Sequence, residues 1–141
     1  MNEIKKAIKT IKPLERLFLI LTFLSVFLKH IFDVKETVDI VVFAMVLCTL
    51  YFPSGFYFLR EPNKNDLAIP ITSGFVYAVC VVAMIYNTLR VFESTYPIIM
   101  SAGLLLSLTL YLRSCLDRGD YLISHYLRIG LIMAVNLIVL L

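Results

Sequence analysis

Three polar side chains on an otherwise apolar C-terminal segment are the residues whose types and spacing come closest to chemistry. On a helix advancing about 100° per residue, His125, Arg128 and Asn136 fall within about 80° of one another. An arginine fork can hold an anion, an imidazole can pass a proton, and an amide can complete a polar lining. Asn87 is the other amide within an expected span. Burying arginine in lipid costs about 2.5 to 3.5 kcal/mol on insertion scales, so this stripe must face protein, water or headgroups. Two accounts fit. In one, Arg128 and His125 line a cavity, with Asn136 and Asn87 completing it. In the other, Arg128 and His125 reach back to the membrane interface, and Asn136 makes an interhelical hydrogen bond.

A second candidate is the stretch Tyr51-Phe52-Pro53-Ser54-Gly55-Phe56-Tyr57-Phe58. Pro53 removes a backbone donor and Gly55 weakens a helix, so a kink or break is expected near Tyr51. Broken helices build ion and substrate sites in some transporters from freed carbonyls and amides; elsewhere they are structural kinks among interfacial aromatics.

Other chemistries lack their groups. No Asp or Glu is expected at the middle of an apolar run, so a carboxylate-coupled exchanger has no evident coupling residue. Cys48, Cys80 and Cys115 have neither zinc nor redox spacing, no glycine-rich loop suits phosphate, and no serine has a base beside it in sequence. His30 and His125 are expected on opposite sides of the membrane. No catalytic site, metal or cofactor is therefore expected, and no nucleic-acid motif accompanies the basic residues.

The elements that must position these groups are membrane helices. The chain is 60% hydrophobic and 16% charged with a mean hydropathy of +0.89, far from the soluble mix of about half apolar and a quarter charged. The clearest span is 67–92, long enough to cross a core of about 30 Å with room for tilt. Around it, spans are expected at 14–32, 38–59, 96–112 and 121–141, the last being the one that His125 and Arg128 shorten. The expected fold is an all-α polytopic bundle of about five transmembrane helices, or four if the last does not cross. Gly74 with Ala78 and Gly103 with Ser107 form small-xxx-small pairs that let neighbouring helices approach closely.

Residues 1–12 read as a separate basic amphipathic helix, split from the bundle of 13–141 by Pro13. Ile4, Ala7, Ile8 and Ile11 have helical spacing, and Lys5, Lys6, Lys9 and Lys12 fill the other faces, a pattern that suits anionic lipid. With alternating spans, this arm shares a side with Arg16, Arg60, Lys64, Arg113 and Arg118, against Lys29, Lys35 and Arg90 opposite. That asymmetry places the N-terminus in the cytoplasm, at a plasma (inner) membrane. Short loops and packing faces point to an accessory or scaffolding subunit that oligomerises with membrane proteins in the lipid bilayer. The alternative is a small oligomeric transporter or channel with its site near Pro53, Gly55 and Arg128.

Overall fold

The computed structural model describes residues 2–32, 38–59, 67–89, 95–116 and 119–140, with side chains from Thr10 onward and not for Leu140. These residues form five helices: α1 (Asn2–Phe32), α2 (Val38–Phe58), α3 (Ala68–Thr88), α4 (Tyr96–Cys115) and α5 (Asp120–Leu140). From α2 to α5 each is long and apolar enough to cross a membrane, including the C-terminal helix. The chain is thus a membrane protein of the helical type. α1 falls outside that set because Glu15, Arg16 and Lys29 interrupt its apolar stretch.

Pro13 lies inside α1 and does not end it. A proline within a helix forfeits one backbone hydrogen bond, and here the apolar turns that follow keep the helix going. The break expected between residues 12 and 13 is therefore absent from the backbone. The face formed by Ile4, Ala7, Ile8 and their neighbouring lysines lies outside the described side chains, as do Lys35, Arg60, Lys64, Arg90 and Arg118.

In α2 the expected kink takes a specific form. Leu50–Ser54, with Pro53 inside it, is a π turn, after which the α-helix resumes at Gly55–Phe58. The wider turn accommodates the missing proline donor without opening the helix, and its extra residue re-aims the side chains around it. Tyr51, in this turn, is fully buried, while Phe52 and Tyr57 face outward.

Helix directions follow from chain reach and from contacts. The connections 33–37, 89–95 and 116–119 extend at most about 3.5 Å per residue, too short to run back along a helix of about 30 Å. α2 and α3 are antiparallel, since Cys48 Sγ lies 4.0 Å from the Ala78 carbonyl while Tyr51 meets Gly74 further along. Accordingly α1, α3 and α5 run one way and α2 and α4 the other. Each helix packs on the next in the chain, α5 packs back on α1, and α3 also touches α5. The result is a closed ring with α3, the most buried span, nearest its centre.

Outward-facing Leu17, Ile20, Leu24 and Phe27 on α1, and Met100, Leu106 and Leu110 on α4, give the bundle the apolar exterior that lipid requires. Inside, hydroxyls are satisfied along their own helices. Thr22 donates to the Phe18 carbonyl at 2.7 Å, Thr88 to that of Met84 at 2.8 Å, and Ser101 to that of Ile98 at 2.8 Å.

The closest crossing is that of α2 and α3. A Cβ on Gly74 would stand 2.7 Å from the Tyr51 carbonyl oxygen, and one on Gly55 3.4 Å from Gly74 Cα. Gly74→Ala is therefore expected to push the helices apart and cost about 1–3 kcal/mol, seen as a lower melting temperature in detergent. Gly103→Ala, with open space at its Cβ, should be neutral or stabilising by up to about 1 kcal/mol. Equal effects of the two variants would contradict this crossing.

Candidate functional site

The strongest polar feature begins with a residue at the edge of an apolar run. Glu15 on α1 is fully buried, and Arg128 of α5 is only 6% exposed. Arg128 grips Glu15 with two prongs, Nε donating to Oε1 at 2.8 Å and Nη2 to Oε2 at 3.1 Å. Arg128 Nη1 donates to Ser124 Oγ at 2.6 Å and to the Ser124 carbonyl at 3.1 Å, one turn back on its own helix. The Tyr51 hydroxyl, set inward by the π turn, donates to Glu15 Oε1 at 2.7 Å. Three helices thus meet on one carboxylate.

The Arg128 guanidinium is therefore held chiefly by Glu15 and Ser124. A long side chain on a helix points back towards the N-terminal turn, as snorkelling requires, but here it stops at Glu15. A buried ion pair must recover a desolvation cost of several kcal/mol per ion, which needs good geometry and satisfied lone pairs. The two-pronged contact, Tyr51 and Ser124 provide both. Of the five guanidinium N–H donors, one has no protein acceptor among the described residues.

A second cluster lies alongside. The Tyr77 hydroxyl and His125 Nδ1 are 2.7 Å apart, and His125 is fully buried. Tyr121 packs edge-on to the imidazole with centroids 4.8 Å apart, and the Tyr51 and Tyr77 rings stand 5.2 Å apart. These rings join the histidine cluster to the ion pair. His125 Nε2 has no hydrogen-bond partner among the described residues. His125 thus faces the bundle interior and not the interface.

The remaining predicted residues are spread along the bundle. Asn136 bonds its own helix, Nδ2 donating to the Ile132 carbonyl at 3.0 Å, and lies about 12 Å beyond Arg128 along α5. Asn87 lies about 15 Å along α3 from Tyr77, near that helix's C-terminal end. Neither joins Arg128. Gly74 and Ala78 are buried, the glycine against Tyr51 of α2, whereas Gly103 and Ser107 are exposed on α4.

Two clefts flank these groups. One of about 360 Å³ lies between α1 and α5, with Arg16, Asp120, Ser124 and Arg128 at its polar end and Leu19 and Leu131 on its walls. The other, of about 480 Å³, is a wholly apolar recess at Pro53 between α2 and α3, bounded by Phe52, Phe75 and Val79. No residue lines both. The pieces of a joint Pro53 and Arg128 site are therefore apart, although the π turn does reach the ion pair through Tyr51. Among the described residues, no group of three His, Cys, Asp or Glu side chains is placed to hold a metal ion.

Sequence reasoning missed Glu15, Tyr51 and Tyr77. Compared with protein-family models, curated proteins and solved structures, the chain matches none.

Removing one partner of a buried ion pair strands the other, at about 3–5 kcal/mol. Arg128→Met and Glu15→Gln should each lower the unfolding free energy in detergent by amounts in that range, and the double variant should recover much of the loss. Arg128→Lys should lose stability too, since a point charge cannot reproduce the fork. Additivity of the two single changes within about 0.5 kcal/mol would show that the pair contributes no coupling.

Proposed function

We propose that the chain is an accessory or scaffolding subunit of a membrane assembly, without catalysis of its own. The observation that carries this reading is the outer face of α4. Gly103 and Ser107 lie there with nothing within 4 Å of a Cβ built at Gly103, and Met100, Leu106 and Leu110 beside them are also exposed. Without a hydrophobic drive between helices in lipid, close backbone approach at small residues is a principal means of association. A neighbouring transmembrane helix, from another copy or a different subunit, fits this face.

The buried polar groups support the same reading. Glu15, Arg128, Tyr51 and Ser124 use most of their hydrogen bonds on one another and so hold three helices together. In this reading α1 also crosses the bilayer, the N-terminus is cytoplasmic at a plasma (inner) membrane, and its lysines lie on anionic lipid.

The second reading, a small oligomeric transporter or channel, is favoured by one observation. A π turn, a feature frequent at functional sites, delivers Tyr51 to a buried ion pair beside a cleft.

Gly103→Leu should abolish association of differently labelled copies, or co-purification of a stoichiometric membrane partner, while leaving the unfolding free energy of the single chain within about 0.5 kcal/mol of wild type as an outward-facing substitution does. Unchanged association would remove α4 as the docking face. Solute or ion flux in proteoliposomes that is lost in the Glu15→Gln/Arg128→Met double variant, if that variant remains folded, would overturn the scaffold in favour of the transporter.

A further inference from the structure

The cleft between α1 and α5 has a polarity that matches one class of molecule. α1 and α5 run in the same direction, so positions early in both segments lie towards one end of the bundle and later positions lie deeper. Arg16 and Asp120, at the early end, are both exposed, and neither has a hydrogen-bond or ion-pair partner among the described residues. The hydroxyl of Ser124 and the guanidinium of Arg128 come next. Leu19, Leu127 and Leu131 continue the groove towards the middle of α5. Its volume of about 360 Å³ lies within the range of about 300–1,000 Å³ usual for small-molecule sites.

We infer that this cleft binds one phospholipid with an amine-bearing headgroup, of the phosphatidylethanolamine type. An acyl chain lies along Leu19, Leu127 and Leu131. The phosphate sits between Arg16 and the guanidinium N–H that Glu15 and Ser124 leave unused. The ammonium meets Asp120. Charge complementarity selects this occupant: a purely anionic headgroup would be repelled by Asp120, and a choline headgroup offers Asp120 no N–H donor. The ion pair beneath is already neutral, so among the described residues lining the cleft the mouth carries one cation and one anion, as the headgroup does. The recess at Pro53 is larger but has no charged lining residue, and so nothing to hold a headgroup. This inference rests on the geometry of the cleft and is independent of the scaffold reading.

The test is native mass spectrometry of the full chain in detergent, offered an equal mixture of phosphatidylethanolamine, phosphatidylglycerol and phosphatidylcholine with identical acyl chains. One phosphatidylethanolamine should be retained per chain in preference to the others. Asp120→Asn should reduce its preference over phosphatidylglycerol by about fivefold, the scale of one exposed charge pair. Arg16→Gln should weaken retention of both by a similar factor. Leu127→Trp, an outward-facing substitution that fills the groove, should remove the adduct with helicity unchanged. If that variant misfolds, the two charge variants carry the test unaided. Soluble phosphoethanolamine, lacking acyl chains, should not bind; binding as tight as the lipid's would overturn a lipid site in favour of a headgroup-like solute. Equal retention of all three lipids, unaltered by Asp120→Asn, would show only annular lipid, and a preference for phosphatidylglycerol would show an anionic-lipid site. Either result overturns the proposal.

Discussion

The contact between Glu15 and Arg128 is the interaction on which the arrangement depends. It joins residues 113 positions apart and closes the ring of helices at the seam between its first and last members. Arginine at membrane depth costs about 2.5–3.5 kcal/mol on insertion scales, and a buried carboxylate is no less unwelcome. Either alone would have to reach the interface, tilting its helix or drawing water inwards. Together, with Tyr51 and Ser124 filling further hydrogen-bonding capacity, they keep both helices upright and in fixed register. The pair adds little to stability relative to an apolar isostere of the same shape. Its value lies in how few alternative packings leave both charges satisfied.

That specificity extends to α2 through the π turn. Leu and Val side chains pack acceptably in several rotations about a helix axis, and lipid does not penalise the choice, because it is as apolar as they are. Tyr51 removes that freedom. Its hydroxyl must reach Glu15 while its carbonyl lies against Gly74, where even a methyl group would collide. Pro53 makes the wide turn favourable, and Gly55 and Gly74 make the resulting close approach sterically allowed. The same short segment thus fixes α2 against α1 on one side and α3 on the other.

The all-helical character and four membrane-length helices were legible in the sequence because bilayer thickness imposes a length that hydropathy reports directly, whereas the separate helix expected over 1–12 is part of the single helix α1. Even the C-terminal helix, shortened on paper by His125 and Arg128, is long and apolar enough to cross. The site was less legible. The polar stripe of α5 was visible, but its partner was not: Glu15 is the second residue of the expected span 14–32 and was given no role there. Glu15 and Asp39 are nevertheless the only carboxylates within the expected spans, and Arg128 the deepest guanidinium. Asking where each such charge could be neutralised would have suggested the pair. No such signal announced Tyr51 or Tyr77, whose roles arise from a change in helical winding and from tertiary contact.

Chain order gives the seam a further consequence. Helices enter the membrane in sequence, and Glu15 belongs to the first while Arg128 belongs to the last. Until α5 is in place, the carboxylate has only the Tyr51 hydroxyl available from α2, enough to orient it but not to neutralise it. The first four helices therefore enclose an uncompensated acid, and α5, for its part, brings a cation that lipid would exclude. Each lacks what the other supplies. Ring closure is in this way driven by complementary electrostatic deficits, in a solvent where apolar packing offers little to distinguish one neighbour from another.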